Sequence, residues 1–235
     1  MSAAPVDNEK AVKRGRAMTR LDTFTDAAFA FAVTMLAISI DEVPGSYPEL
    51  VAALKSAPAF IASFAILMLY WRAHQNWSER YGLDDLPSVL LTAALVMVVM
   101  IYVYPLRIIM GTAFSTLSAG WLPSRFPLES IEQYRALVSI FAVGFVAMSG
   151  LIAGLYLHAW RCQEQLAMGA RERFDTAAEA LAWSIVAAVG VLSLLLAWTL
   201  PDRWLAVPAW IYCVLIVYGW VFDWAQRRIA RKRFG

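Results

Sequence analysis

Long apolar runs, separated by short polar connections, form the dominant pattern of the chain. A bilayer core about 30 Å thick requires roughly 20 mainly apolar residues per helix. Six runs reach that length, over residues 21–40, 58–77, 86–104, 134–160, 177–200 and 204–224. The pattern therefore predicts an all-α, polytopic membrane protein with six transmembrane helices.

Polar residues and prolines indicate where several of these helices begin and end. Ser56 and Pro58 are expected to cap the second helix and to occupy its first turn. Asp85 is expected to cap the third helix, and Pro105 to end it, because proline removes a backbone hydrogen bond from a helix interior. Gly150 and Gly154, in a G-x-x-x-G spacing with Gly144 nearby, predict a close helix contact in the fourth helix.

Composition excludes most alternatives to a membrane protein. Hydrophobic residues make up 60% of the chain and charged residues 16%, against roughly 45–50% and about 25% in ordinary soluble domains. Two cysteines are too few for a disulfide framework or a cysteine-rich zinc module. Nucleophile-elbow, zinc-protease and phosphate-binding motifs are absent from the sequence. We expect no enzyme activity, no cofactor and no nucleic-acid partner.

The distribution of basic residues predicts the orientation in the membrane. Of the 20 lysines and arginines, 15 lie in the connections of one side of the six predicted helices. Basic residues favour the cytoplasmic side, so both termini are expected there, in the plasma (inner) membrane. The predicted organisation is a cytoplasmic tail over 1–18, a six-helix membrane domain over 19–226 and a basic cytoplasmic tail over 227–235.

The first predicted helix carries polar groups that a lipid-facing helix would not carry. Asp26 lies two turns from the start, where a carboxylate in a membrane is costly without partners. At about 100° per residue, Phe31, Thr34, Met35 and Ile38 form one stripe, and Asp26 points about 140° away from it. If the stripe faces a pore, Asp26 faces protein.

The beginning of the same helix combines a capping signal with a basic residue. Thr19 and Asp22 have the spacing of a capping box, and an acidic residue in the first turn suits the helix dipole. Arg20 lies only about 20° from the stripe through Phe31, at the predicted cytoplasmic end. A ring of arginines there would oppose cation entry unless acidic residues such as Asp22 neutralise it.

The first two predicted helices each carry a recognisable motif. In the first helix, Arg20, Phe24, Thr25 and Asp26 form Arg-x-x-x-Phe-Thr-Asp, and an apolar stretch with threonine follows over residues 29–36. In the second helix, Phe64, Trp71 and His74 form Phe…Trp-x-x-His. These motifs resemble those of the transmembrane protein 175 family, the endolysosomal potassium channels and their prokaryotic relatives, whose first-helix pattern is Arg-x-x-x-Phe-Ser-Asp. The resemblance covers about residues 16–107 and is topological beyond.

The resemblance implies a potassium channel that lacks a filter loop and is lined by its first helix. It implies a hydrophobic constriction at Phe31, Met35 and Ile38, and a selectivity residue at Thr34. It also implies a homotetramer of six-helix units that conducts K⁺ and, because its selectivity is limited, other monovalent cations. A structural network is implied in which first-helix residues contact two residues of the second: Arg20, Phe24, Thr25 and Asp26 against Trp71 and His74.

Three positions depart from the family pattern. Thr25 replaces serine and keeps the hydroxyl, so we expect little change. Phe31 stands where isoleucine is usual, and its larger ring puts the basal conductance in question. Thr92 stands where a polar asparagine is expected, which predicts a weaker part of the network.

Other interpretations remain open from the residues alone. Asp26 and His74 would serve a proton-coupled secondary transporter, and a non-conducting membrane scaffold gains weight from Phe31. His74 is expected to hold hydrogen bonds rather than to sense protons. His158 and Cys162 stand four residues apart, but two ligands of mixed type make a weak metal site, so no metal centre is predicted.

Overall fold

The computed structural model describes residues 19–38, 44–124 and 126–234. The predicted cytoplasmic tail over 1–18 and the last two residues of the first predicted helix lie outside these ranges. Within them the chain is helical and contains no strand. Its α-helices are α1 (Arg20–Ile38), α2 (Tyr47–Lys55), α3 (Ala57–Tyr81), α4 (Leu86–Leu117), α5 (Ile131–Arg161), α6 (Ala170–Thr199), α7 (Val207–Trp210) and α8 (Val214–Phe234).

Six helical segments of the described residues are long and apolar enough to cross a membrane, which confirms the predicted fold class. Each contains an 18-residue stretch whose mean hydropathy lies between 1.5 and 2.4. They comprise Arg20–Ile38, Tyr47–Tyr81, Leu86–Leu117, Ile131–Arg161, Ala170–Thr199 and Asp202–Ala230.

The prediction that Pro105 ends the third transmembrane helix is wrong. Helix α4 continues through Pro105 to Leu117, which shortens the connection that follows it. A proline costs a soluble helix one backbone hydrogen bond and a steric clash. Inside a membrane, leaving the helix would expose further unpaired backbone groups, so continuing it is the better solution.

The prediction for Ser56 and Pro58 is confirmed in position but not in bonding. Ser56 is the N-cap residue of α3, and Pro58 lies in the first turn of that helix. However, Ser56 has a helical backbone conformation, and its side chain makes no capping hydrogen bond. Its hydroxyl donates to the carbonyl of Ala53 at 2.7 Å and accepts from Arg107 Nη2 at 3.3 Å. The segment therefore begins earlier than the apolar run, at α2, and Ser56 is a joint between two helices.

The last predicted helix is interrupted rather than continuous. Two short 3-10 turns, Asp202–Trp204 and Ile211–Cys213, flank α7 before the long helix α8 begins. Pro208 lies in α7, and its carbonyl accepts a hydrogen bond from the Ser193 hydroxyl at 2.7 Å. A side chain of α6 thus satisfies a backbone group that the irregular segment leaves without a helical partner.

Helix α3 holds the bundle together through buried aromatic side chains with polar ends. The Tyr70 hydroxyl lies 2.7 Å from the Ser149 hydroxyl of α5, and the Tyr81 hydroxyl lies 2.8 Å from that of Thr176 in α6. Trp77, between them along α3, is fully buried. Such bonds fix the rotation of α3, because a buried hydroxyl without a partner is costly.

The close helix contact predicted in α5 is found at one of the three glycines named for it. A Cβ atom added to Gly144 would collide with the ring of Tyr102, so α4 and α5 approach closely there. At Gly154 an added Cβ would make ordinary contact with Leu91, and at Gly150 it would meet no described atom within 4 Å. The contact is therefore confirmed at Gly144, and within the subunit Gly150 takes no part in it.

Candidate functional site

One face of α1 is packed into the bundle. Thr25, Phe29, Ala32 and Leu36 are buried, each at most 1% exposed. Their spacing of three and four residues places them along one side of a helix. Helices α3 and α4 pack against α1, so this side fixes how the helix is rotated.

The opposite face of α1 carries large apolar side chains that are exposed in the described part of the subunit. Phe24, Phe31 and Ile38 are 56%, 55% and 73% exposed, and Thr34 is exposed between the last two. We call Phe24, Phe31, Thr34 and Ile38 the open stripe. Met35 lies at its edge and is partly buried. The predicted stripe thus lies on the uncovered face, and Phe24 extends it toward the beginning of the helix.

Thr34 presents the polar group in the middle of the open stripe. Its hydroxyl donates to the carbonyl of Ala30 at 2.9 Å. A hydroxyl that donates to its own helix still has lone pairs available to accept or coordinate. The open stripe therefore consists of three large apolar side chains and one hydroxyl whose oxygen can serve as a ligand.

Asp22 fixes the start of α1 and ties it to α3. The Thr19 backbone N–H donates to Asp22 Oδ2 at 3.0 Å, and the Asp22 N–H donates to Thr19 Oγ1 at 3.1 Å. This is the expected capping box. The hydroxyl of Ser78 in α3 donates to the other carboxylate oxygen of Asp22. One carboxylate thus satisfies the helix end and joins two helices.

Asp26 is directed toward α3, away from the open stripe. Its Oδ1 accepts a hydrogen bond of 2.8 Å from the indole Nε1 of Trp71, and the residue is partly buried. This matches the geometric expectation that Asp26 faces protein. A carboxylate two turns into a membrane helix here has a fixed donor.

His74 lies deeper in the same region and bonds to α4. Its Nε2 lies 3.0 Å from the Thr92 hydroxyl, and the imidazole is 2% exposed. Thr92 thus takes part in the network although it is not the expected asparagine. The Asp22 and Asp26 carboxylates both interact electrostatically with His74, which makes this the polar centre of the α1–α3–α4 contact.

The other residues of the predicted network differ in their surroundings. Arg20 is exposed, as is Phe24 on the open stripe. Thr25 is buried, and its hydroxyl donates to the carbonyl of Leu21 at 2.8 Å. Sequence reasoning missed Ser78, although it follows His74 by one helical turn and shares its face, a spacing that would have indicated it.

Known proteins are similar in sequence to this chain, and the similarity includes the region described above. The sequence profile of the family described as endosomal/lysosomal potassium channel TMEM175 matches residues 20–105, which contain α1, α2, α3 and the first part of α4. A protein of Marivirga tractuosa described as a potassium channel is 28% identical over 232 residues, which is 92% of each chain. Over residues 20–105 the chain is similar to the TMEM175 family. The TMEM175 match thereby includes each of the sequence-predicted site residues.

A solved TMEM175 structure extends the likeness to the whole bundle. The crystal structure of a variant of the potassium channel MtTMEM175, in complex with a nanobody–MBP fusion protein, superposes with a TM-score of 0.79. It is 26% identical and covers 92% of this chain and 98% of the solved chain. The TMEM175 fold therefore includes the helices after residue 105, where the motifs end.

Proposed function

We propose that this chain is a potassium channel of the plasma (inner) membrane, with a pore lined by α1 of each subunit in a homotetramer. The open stripe supports this proposal most directly, because one face of α1 is buried in the bundle while the apolar side chains of the other face are more than half exposed among the described residues. Four copies arranged around an axis would turn their open stripes toward one another. The two relatives described above are named potassium channels.

The constriction is assigned to Phe31, Met35 and Ile38. Four phenyl rings at Phe31 would converge on the axis and leave a narrow apolar gap. An ion that sheds its water there gains no oxygen ligands, so most of its desolvation cost is uncompensated. This constriction is a hydrophobic gate that conducts ions when it widens and fills with water.

Selectivity is assigned to Thr34, one turn along the stripe from Phe31. Four Thr34 hydroxyls would offer oxygen ligands to a partly dehydrated cation. Each hydroxyl donates its hydrogen to Ala30, so its lone pairs are the part left to face the ion. A single ring of four oxygens replaces only part of a hydration shell, which predicts weak to moderate preference for K⁺ over Na⁺.

The polar network behind the pore has a structural role in this proposal. Asp26 and Trp71 join α1 to α3, and His74 joins α3 to Thr92 of α4. These bonds lie on the faces of α1 and α3 that are directed away from the open stripe. They hold α1 at the rotation that presents the stripe to the axis.

Three substitutions of Phe31 test the gate. In liposomes containing purified protein, Phe31→Ala and Phe31→Asn should raise K⁺ conductance severalfold and weaken discrimination against Na⁺, because the constriction becomes wider and more easily wetted. Phe31→Ile should have an intermediate effect. Leu195→Ala on α6, where the residue is 57% exposed, is the matched control and should leave the current unchanged.

A melting curve of each variant distinguishes a gate from a packing residue. If Phe31 packs between subunits, Phe31→Ala leaves a cavity, which lowers the melting temperature. Unchanged conductance with a lower melting temperature would contradict the gate. Raised conductance with an unchanged melting temperature supports it.

A further inference from the structure

Three potential metal ligands from distant parts of the sequence converge where α4 begins and α5 ends. Asp85, His158 and Cys162 place one ligand atom each within 4.8 Å of the others. The His158 Nε2 atom lies 2.6 Å from Asp85 Oδ2 and 3.7 Å from Cys162 Sγ. All three donor atoms therefore surround one point.

Each side chain is held in position by the helix end that carries it. His158 and Cys162 are one turn apart at the end of α5, so their side chains share a face. Asp85 is the N-cap of α4, where Oδ1 accepts from the Ser88 backbone N–H at 3.3 Å. Its second oxygen, Oδ2, is thus left to point toward α5.

A thiolate, an imidazole and a carboxylate are together a ligand set typical of Zn²⁺ and related divalent transition metals. Zinc bound by sulfur at about 2.3 Å and by nitrogen at about 2.0–2.1 Å in a tetrahedron places these two atoms roughly 3.6 Å apart. The Sγ–Nε2 distance of 3.7 Å already fits this value. The Nε2–Oδ2 distance of 2.6 Å is that of a direct hydrogen bond, and it would open when a metal replaces the proton.

Exposure also suits a metal. The His158 and Asp85 side chains are 17% and 41% exposed, so an ion can enter from the aqueous phase. The thiolate is the form of cysteine that binds a metal, so a bound ion would have to displace the thiol proton of Cys162.

We propose that Asp85, His158 and Cys162 bind Zn²⁺, with water as a fourth ligand, and thereby join the start of α4 to the end of α5. The site lies at the membrane edge on the side of the bundle where α1 begins. It is separate from the open stripe and does not depend on ion conduction. The competing explanation is an Asp85–His158 hydrogen bond beside a cysteine that binds nothing.

Cobalt titration of the full-length protein distinguishes the two explanations. Purified protein in detergent is stripped with a chelator, titrated with Co²⁺ and then with Zn²⁺. Thiolate coordination predicts a sulfur-to-cobalt charge-transfer band that saturates at one ion per chain and disappears when Zn²⁺ displaces Co²⁺. Cys162→Ser should abolish the band. Cys213→Ser, which changes the other free cysteine, should leave it intact.

The carboxylate is tested by a variant that preserves the helix cap. Asparagine caps helices as well as aspartate does, so Asp85→Asn keeps the start of α4 while it removes the anionic ligand. We expect Zn²⁺ affinity to fall by more than about 10-fold, the lower end of losses seen even for outer-shell substitutions. Asp84→Asn is the matched control and should retain wild-type affinity.

Thermal unfolding supplies a readout that does not depend on cobalt spectra. A ligand that binds only the folded state stabilises it, so Zn²⁺ should raise the melting temperature of the wild type and of Cys213→Ser, but not of Cys162→Ser. If Cys162→Ser misfolds, Asp85→Asn carries the test. A wild type that shows no charge-transfer band, or a Cys162→Ser variant that binds Zn²⁺ as the wild type does, would overturn the proposal.

Discussion

The hydrogen bond between Asp26 and Trp71 makes a prediction whose magnitude follows from the structure. Trp71→Phe keeps an aromatic ring but removes the Nε1–H that donates to Asp26 at 2.8 Å. Hydrogen bonds to charged groups contribute about 1.5–3 kcal/mol. Both residues are only partly buried, so we expect the lower end, about 1–2 kcal/mol, to be lost from the free energy of unfolding.

A double-mutant cycle isolates this bond from the rest of the side chains. Asp26→Ala, Trp71→Phe and the double variant are compared with the wild type by reversible unfolding in mixed micelles. We expect a coupling energy of about 1–2 kcal/mol, within the range for residues in direct contact. Trp198→Phe is the control, since the indole of Trp198 donates to Ser139 at 2.9 Å at an exposed site. It should cost less than about 0.5 kcal/mol.

A further variant, Asp26→Asn, tests whether Asp26 faces protein or pore. Because the carboxylate points away from the open stripe, Asp26→Asn should reduce expression or assembly and leave the ion preference of the surviving channels unchanged. Size-exclusion chromatography and reversal potentials measure the two effects. A coupling energy near zero, or normal assembly with altered selectivity, would refute the geometric reasoning.

Two further substitutions test the packing of α5 and the polar group of the stripe. Gly144→Ala should lower the free energy of unfolding by about 1–3 kcal/mol, because the added Cβ would collide with the ring of Tyr102. The control Gly150→Ala should be neutral or slightly stabilising. Equal melting curves for the two variants would contradict the assigned contact. Thr34→Val should reduce the preference for K⁺ over Na⁺ without loss of current. Thr199→Val is the control and should change neither quantity, because the Thr199 hydroxyl is exposed and bonded in the same way to its own helix. Unaltered reversal potentials in Thr34→Val would contradict the assignment of selectivity to Thr34.

The elements that could be predicted from sequence are those that local periodicity determines. Hydropathy and length suffice for membrane spans, because the bilayer sets both requirements. The helical period suffices for the rotation of α1, so that Phe31 and Ile38 share the uncovered face. Helix ends were harder to predict. Pro105 carries a stop signal of soluble proteins, yet α4 continues through it. Ser56 stands at the predicted cap position, but its hydroxyl bonds to Ala53 and Arg107 instead of capping the helix.

Contacts between side chains of different helices could mostly not be predicted from the sequence pattern. Ser78 contacts Asp22 and Thr92 contacts His74 only because α1, α3 and α4 meet at one place. Thr92 stands where an asparagine was expected, and its hydroxyl still lies within hydrogen-bond distance of His74 Nε2.

The metal ligands show the same limit. His158 and Cys162 are recognisable as a pair from their spacing. Asp85, which completes the set, precedes His158 by 73 residues, and no local spacing connects it to them.

The central claim, that this chain is a potassium-conducting pore, is tested most directly by reversal potentials across a bilayer with K⁺ and Na⁺ on both sides at unequal concentrations. The purified wild type should give a current that reverses between zero and the K⁺ equilibrium potential, displaced toward K⁺, and that persists without a proton gradient. A current that moves with the proton gradient at fixed stoichiometry would indicate a carrier that uses Asp26 and His74. The absence of current both in the wild type and in Phe31→Ala would contradict the pore itself.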